Sequence, residues 1–145
     1  MEKLPHSYAV TVKGDQQGNL HASGAGLPPL VCAPPTQFDG PGDQWSPEEL
    51  LMAAVANCLV LSFRAIAGAS RYEWNSIECD ARGVLDQVDR KIQITTIENL
   101  VTLVVPAGSD AAKAEKLLEK AEQACFISNS LTAEVQLKCE IVIAG

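Results

Sequence analysis

The chain has 145 residues and a formal net charge of −7, with 18 Asp and Glu residues against 11 Lys and Arg residues. This length is sufficient for one domain with its own core, and a content of 47% hydrophobic residues is ordinary for a globular protein. The acidic balance argues against nucleic acid or an anionic membrane as a partner. We therefore expect a single domain over residues 1–145.

The N-terminal segment and the cysteines bear on the cellular compartment. No apolar segment follows a basic one at the N-terminus, so we expect no signal peptide. The longest apolar run, residues 50–63, is expected to be too short and too polar at its flanks to cross a bilayer. A cytoplasmic location is therefore predicted, where five cysteines should mostly be thiols: Cys32, Cys58, Cys79, Cys125 and Cys139.

The first part of the chain predicts three strands, a loop and a long helix. Alternation of apolar and polar residues predicts a strand at 7–13, and weaker strands are expected at 20–23 and 29–33. A Pro- and Gly-rich loop follows. Ser46 and Glu49 form an S-x-x-E capping box around Pro47, so a helix should begin there and run to about Ala67. This helix is apolar all round, which is typical of a buried central helix, and one predicted stripe contains Leu51, Ala54, Val55, Cys58, Leu61 and Ala65.

The remaining chain predicts two long strands, a second helix and a last strand. The strands cover residues 76–82 and 91–108, the helix residues 109–125, and the last strand residues 133–144. Short turns between consecutive strands favour antiparallel pairing. The predicted order is βββ-α-ββ-α-β, and the predicted class is α+β with antiparallel sheets packed around long central helices.

Most cysteines fit a structural role. Cys32, Cys79 and Cys139 fall in strand segments, where free cysteine is a frequent core residue. No C-x-x-C is present, and His6 and His21 do not form a ligand pattern, so we expect no metal site. No glycine-rich phosphate loop is present, and a Cys-His hydrolase has little support from the positions of the histidines.

Cys58 and Cys125 differ because each lies in or at the end of a predicted helix. From the residues alone, both a core role and a reactive role stay open for this pair. A reactive Cys58 must be a thiolate, and burial would raise its pKa. Arg64, six residues on, points to another side of the helix, so the sulfur needs a cation or strong donors from elsewhere. Cation candidates are Lys13, Arg71, Arg82 and Arg90.

Residues 38–63, "FDGPGDQWSPEELLMAAVANCLVLSF", resemble the signature of the OsmC/Ohr family, the osmotically induced and organic hydroperoxide resistance proteins. The signature has a Pro-Glu helix start, here Pro47 and Glu48, and a cysteine ten residues after the Glu, here Cys58. The family's second cysteine resembles Cys125 in "CFISNSL". The resemblance covers nearly the whole chain. It implies a thiol peroxidase for organic hydroperoxides, an intertwined homodimer, no bound cofactor and an external dithiol reductant.

Two positions depart from the family pattern. Phe126 follows Cys125 where the family commonly has proline, and residues 12–24 contain no arginine, although the hydroperoxide-resistance branch has one there. The chain therefore resembles the wider OsmC group more than that branch.

The resemblance implies a reaction cycle. Cys58 would attack the peroxide and become a sulfenic acid, Cys125 would condense with it to a disulfide, and a dithiol would restore both thiols. Apolar surroundings would favour an alkyl or fatty-acid hydroperoxide. The alternative is a non-catalytic protein of the same fold that binds a small apolar ligand and retains Cys58 as a vestige.

Glu48 has two interpretations. A glutamate in the first helical turn stabilises the helix dipole, whereas the resemblance assigns it to the active site, orienting the activating cation. Ten residues of helix separate it from Cys58, which is ~15 Å along the axis and beyond the reach of the side chain. Glu48 would therefore serve the Cys58 of a second chain. We accordingly predict an obligate homodimer with two composite sites.

Overall fold

The computed structural model describes residues 1–145, which form two three-stranded sheets and three α-helices. The elements in chain order are β1 (Thr11–Lys13), β2 (Leu20–Ser23), β3 (Leu30–Cys32), α1 (Pro47–Ala69), β4 (Ser76–Val88), β5 (Lys91–Val105), α2 (Ala111–Gln123), α3 (Phe126–Asn129) and β6 (Glu134–Ile143). The contacts divide the chain into two compact units, Met1–Leu51 and Met52–Gly145.

The first unit contains a small antiparallel sheet of order β1-β2-β3. A 3-10 turn at Thr36–Phe38 lies in the predicted Pro- and Gly-rich loop. The loop returns to the sheet at Trp45, whose carbonyl accepts a hydrogen bond of 2.9 Å from the N–H of Ala33. The first strand is shorter than predicted, whereas the second and third lie within their predicted ranges.

The predicted capping box at the start of α1 is confirmed. The Ser46 hydroxyl accepts a hydrogen bond of 3.1 Å from the N–H of Glu49 and donates one of 2.9 Å to the Glu49 carboxylate. Ser46 is fully buried, so these bonds satisfy a hydroxyl that water cannot reach. The first turn of α1 is thereby fixed, with Glu48 and Glu49 both in it.

The second unit contains a mixed sheet of order β4-β5-β6. β4 and β5 form an antiparallel hairpin, but β6 runs parallel to β5, with Val101 opposite Cys139. The prediction of antiparallel sheets is therefore wrong for this pair. Two helices, α2 and the unpredicted α3, carry the chain across the sheet between β5 and β6, and such a crossover makes a parallel pair possible.

The core of the second unit lies between the sheet, α1 and α2. Alternate residues of β4, β5 and β6 turn one face of the sheet inward, and the apolar face of α2 packs on it. The buried core cluster is Leu59, Phe63, Ala67, Val101, Leu103, Val105, Ala114, Leu117, Leu118 and Ala121.

Helix α1 is only partly covered by its own chain. Its buried stripe is Val55, Leu59, Phe63 and Ala67. Leu61 and Ala65, which belong to the predicted stripe, are exposed instead. The 23-residue helix is long and apolar enough, by length and composition alone, to cross a membrane. The expectation that the apolar run is too short was made for residues 50–63 and does not hold for the whole helix. Core helices pass the same test, and the buried stripe of α1 is packed into the core.

Candidate functional site

The structure brings Cys58 and Cys125 together. Cys58 lies in the middle of α1 and is partly buried, whereas Cys125 immediately precedes α3 and is 1% exposed. The Cys125 thiol hydrogen-bonds to the Cys58 sulfur. The Cys125 sulfur also lies 4.0 Å from the carbonyl oxygen of Val55, one turn of α1 before Cys58. The two sulfurs therefore meet where the α2–α3 connection crosses α1.

The surroundings of Cys58 favour its thiolate. Burial raises the pKa of Cys58, but hydrogen bonds from the N–H of Ile127, the Cys125 thiol, the N–H of Phe126 and the Ser62 hydroxyl lower it. The net effect is a pKa below the ordinary value of 9.0. All of these groups are uncharged. A thiolate can be stabilised by a cation or by hydrogen-bond donors, and this chain provides donors.

The surroundings of Cys125 raise its pKa. Burial raises its pKa, the hydroxyl and N–H of Ser128 lower it, and the neighbouring Cys58 raises it, with a net pKa above 9.0. The Ser128 hydroxyl is buried and has no nitrogen or oxygen partner. Of the two thiols, Cys58 therefore ionises first, and Cys125 remains a thiol that can donate a hydrogen bond to it.

None of the four candidate cations is among the groups that shift the pKa of Cys58. Arg82 pairs with Asp80 at 2.7 Å on an exposed part of β4. Arg90 is in the tight turn between β4 and β5, and Arg71 follows the end of α1. Lys13 belongs to β1 in the first unit.

Glu48 lies in the first turn of α1, as predicted. Its carboxylate oxygen Oε2 is shielded from solvent and has no hydrogen-bond partner within this chain. An unpaired buried carboxylate oxygen is costly, whereas the neighbouring Glu49 is satisfied by Ser46. Glu48 is thus the carboxylate of this turn that lacks a partner.

The other cysteines have structural surroundings. Burial, followed by the charges of Asp80, Cys125 and Cys139, raises the pKa of Cys79 to about 11. Burial, followed by the charges of Glu115 and Glu119, raises the pKa of Cys139 to about 11. Cys32 is buried at the end of β3. The raised pKa values make the thiols of Cys79 and Cys139 poor nucleophiles near neutral pH.

A surface cavity of about 320 Å³ lies between α2 and β6. Its lining is acidic and includes neither Cys58 nor Cys125: Glu115, Glu119, Glu122, Gln123, Leu137 and Cys139. The carboxylates disfavour a thiolate at Cys139, so this cavity does not suit thiol chemistry. No group of three or more His, Cys, Asp or Glu side chains is arranged to hold a metal ion.

Sequence reasoning missed the donors around Cys58. Two of them, Phe126 and Ile127, act through backbone N–H groups, which every non-proline residue carries, and the third, Ser62, is one turn after Cys58 on α1. The Ser62 spacing of four residues was available as a signal. The amides were not, because they depend on the fold of α3.

Comparisons with known proteins agree with this architecture. The sequence model of the family described as OsmC-like protein matches residues 40–140. Peroxiredoxin OsmC of Escherichia coli (strain K12) is 33% identical over 106 residues, which is 73% of each chain. The organic hydroperoxide resistance protein of Xanthomonas axonopodis pv. citri (strain 306) is 25% identical over 137 residues, or 94% of each chain.

The solved structures extend the likeness to the fold. An OsmC-like protein of unknown function from Vibrio cholerae O1 biovar eltor has a TM-score of 0.87 at 21% identity, covering 94% of this chain and 100% of that one. The predicted α+β class and OsmC-like fold are thus confirmed. From the family match and the Escherichia coli relative, we conclude that this chain belongs to the OsmC/Ohr family of OsmC-like proteins.

Proposed function

We propose that the chain is a thiol-dependent peroxidase that reduces organic hydroperoxides, with Cys58 as nucleophile and Cys125 as resolving thiol. The observation that carries this proposal is the contact between the two sulfurs, with the pKa of Cys58 lowered and that of Cys125 raised. A peroxidatic thiol needs a lowered pKa, and a resolving thiol needs only to be near and to remain reduced. The names of the Escherichia coli and Xanthomonas relatives support the same class of reaction.

The reaction proceeds in three steps. The Cys58 thiolate attacks one peroxide oxygen, the O–O bond breaks, and the alkoxide leaves and takes up a proton as an alcohol, so Cys58 becomes a sulfenic acid. The Cys125 thiol then attacks the Cys58 sulfur, and a disulfide and water form. An external dithiol reduces this disulfide by exchange and returns both thiols, without a bound cofactor.

The substrate class follows from the surroundings of Cys58. The exposed side of α1 is apolar and includes Leu61, which is 55% exposed. An alkyl or fatty-acid tail gains ~0.8 kcal/mol for each methylene group that it buries there, whereas hydrogen peroxide gains nothing comparable. We therefore propose an organic hydroperoxide as substrate.

The working unit in this proposal is a homodimer in which each chain acts as one OsmC-like domain over residues 1–145. The exposed apolar side of α1 and the exposed Val84, Val88 and Ile92 of the β4–β5 hairpin together offer the surface that a second copy would cover. The unpaired carboxylate oxygen of Glu48 supports a role for this residue at the Cys58 of the partner. The cytoplasmic location stays a prediction, as does the lack of nucleic-acid and membrane partners.

A second candidate function is the binding of a small apolar ligand without catalysis. The cavity between α2 and β6 gives it little support, because three glutamates line that cavity. An apolar ligand would instead have to occupy the exposed side of α1, where Cys58 lies.

A thiol count separates the two functions. Fully reduced protein receives one equivalent of cumene hydroperoxide under argon, and free thiols are then titrated after denaturation. The peroxidase predicts that two of the five thiols are lost per chain, leaving three. Five remaining thiols, with the hydroperoxide unconsumed, would contradict the peroxidase and favour the binding protein.

A further inference from the structure

We propose that an external thiol opens the oxidised form of this chain by attacking the Cys58 sulfur and not the Cys125 sulfur. Cys58 then carries the reductant as a mixed disulfide, and Cys125 is the leaving thiol. This inference rests on the proposed function for the Cys58–Cys125 disulfide. Its test forms that disulfide without any peroxide.

The two cysteines differ in their exposure to solvent. Cys125 is 1% exposed, and its sulfur lies 4.0 Å from the carbonyl oxygen of Val55, so the backbone of α1 covers it on one side. Cys58 is only partly buried. A thiolate must reach a disulfide sulfur in order to attack it, so access bears directly on which of the two sulfurs is attacked.

The neighbours of each cysteine in the chain show how this difference arises. Cys58 lies at the edge of the exposed side of α1, next to the exposed Asn57 and one turn before the exposed Leu61. Cys125 instead turns inward between two exposed residues, Ala124 and Phe126. A thiol in solvent therefore meets Cys58 on the surface of a helix, whereas it reaches Cys125 only after the chain around it opens.

A second copy of the chain would not reverse this contrast. A partner can add to the burial of Cys125, but it cannot remove the cover that Cys125 receives from its own chain. Cys58 must stay accessible in the proposed function, because the hydroperoxide has to reach it. The opening that admits the hydroperoxide therefore also serves the thiol.

The other thiols of the sheet do not provide an internal route to Cys125. Cys79 and Cys139 both lie opposite Val101 of β5 and pack against the core. Burial, followed by neighbouring negative charges, raises the pKa of each to about 11. Both therefore remain protonated near neutral pH, and a protonated thiol does not attack a disulfide.

The acidities of the two thiols favour the opposite direction of attack. A thiol of lower pKa leaves a disulfide faster, and the pKa of Cys58 is lowered whereas that of Cys125 is raised. If leaving-group ability decided the outcome, the external thiol would attack Cys125 and release Cys58. Access and acidity thus predict different products, and the product shows which of them controls the reaction.

The reduction balances in two exchanges. A thiolate of the external dithiol attacks the Cys58 sulfur, a bond forms between the two, the Cys58–Cys125 bond breaks, and Cys125 leaves as a thiolate that takes up a proton. The second thiol of the reductant then attacks the reductant's own sulfur in the mixed disulfide. Cys58 leaves as a thiolate, and the dithiol, which has given up two electrons, becomes a disulfide.

The test uses glutathione, whose single thiol stops the reaction at the mixed disulfide. Diamide first forms the Cys58–Cys125 disulfide in the folded chain, and one equivalent of glutathione is then added at neutral pH. Samples are quenched with acid at short intervals, free thiols are blocked at low pH, and the peptides are mapped by mass spectrometry. The initial amounts of glutathione on the Cys58 and Cys125 peptides are compared, before thiols exchange further.

The folded chain should carry at least about tenfold more glutathione on Cys58 than on Cys125, because attack on Cys125 must wait for a local opening. The control is the same disulfide in concentrated urea, where both sulfurs are accessible and similar amounts are expected. Equal amounts in the folded chain, or an excess on Cys125, would overturn the inference. A chain in which diamide does not join Cys58 to Cys125 would overturn it as well.

Hydroperoxide consumption by the reduced chain is measured separately. If the chain consumes none and glutathione is still found on Cys58, the proposed peroxidase function fails and the site of attack stands. If the chain consumes hydroperoxide and glutathione is found on Cys125, the inference fails and the proposed function stands.

Discussion

The sulfur of Cys125 lies 4.0 Å from the carbonyl oxygen of Val55, one helical turn before Cys58. This contact joins the α2–α3 connection to α1. Cys125 and the backbone of Phe126 and Ile127, which follow it, lower the pKa of Cys58. Cys125 is at the same time a fully buried residue. Its two possible roles, packing and redox chemistry, are therefore compatible in one position.

Serine substitutions separate the proposed roles of the two thiols. Cys58→Ser should abolish hydroperoxide consumption, because a hydroxyl does not ionise in the accessible pH range. Cys125→Ser should leave the first oxidation intact but trap a sulfenic acid at Cys58, detectable by dimedone labelling and mass spectrometry. A Cys58→Ser protein that consumes hydroperoxide at the unmodified rate would contradict the assignment.

The thiols should differ in their response to pH. The pKa of Cys58 lies below 9.0, whereas those of Cys79 and Cys139 lie at about 11. Alkylation of Cys58 should therefore rise with pH and reach half of its maximum below pH 9, and alkylation of the other two should still be rising at pH 10. Residue-resolved mass spectrometry of the folded protein measures all three rates. Cys79 or Cys139 reacting as fast as Cys58 at pH 7 would be inconsistent with this order.

The capping box makes a prediction about stability. Ser46→Ala removes both hydrogen bonds to Glu49 and should lower the free energy of unfolding by about 1–2 kcal/mol. Chemical denaturation at constant protein concentration measures the change. Ser70→Ala, at an exposed position after α1, is the control and should change the stability by less than about 0.5 kcal/mol. Equal effects of the two substitutions would mean that the cap contributes nothing.

Subunit mixing tests the composite site. Cys58→Ser and Glu48→Ala chains, each expected to be inactive or strongly impaired, are mixed under conditions that exchange subunits. A heterodimer then has one site with both residues intact, so half of its sites should recover activity. If exchange is demonstrated and no activity returns, Glu48 acts within its own chain or only as a helix-end charge. A protein that remains monomeric would remove the premise.

The strands and the caps could be predicted from the sequence because they depend on local patterns. The patterns located β2, β3 and β6, and the Ser46–Glu49 spacing located the start of α1. The parallel pairing of β6 could not be predicted in this way, since it depends on a crossover rather than on a turn. Helix α3 was missed because four residues are too few for a helical period to be visible.

The sequence was sufficient to predict which two cysteines form the candidate site. It was not sufficient to predict which groups donate hydrogen bonds to Cys58. The helical positions of Cys58 and Cys125 singled them out, and the resemblance paired them. The predicted stripe of α1 included Leu61, which is exposed, because in a helix that is apolar on all sides the sequence does not indicate which side packs against the core. The search for a cation failed for a different reason. Backbone N–H groups stabilise Cys58, and no side-chain pattern identifies them.

Peptide mapping of the oxidised protein tests the central claim most directly. Reduced protein is treated with one equivalent of cumene hydroperoxide, remaining thiols are blocked at low pH, and the digest is analysed without reduction. The account predicts a disulfide that joins the Cys58 peptide to the Cys125 peptide, with Cys32, Cys79 and Cys139 recovered as blocked thiols. Recovery of Cys58 as a blocked thiol, with the oxidation found at any of the other cysteines, would contradict it.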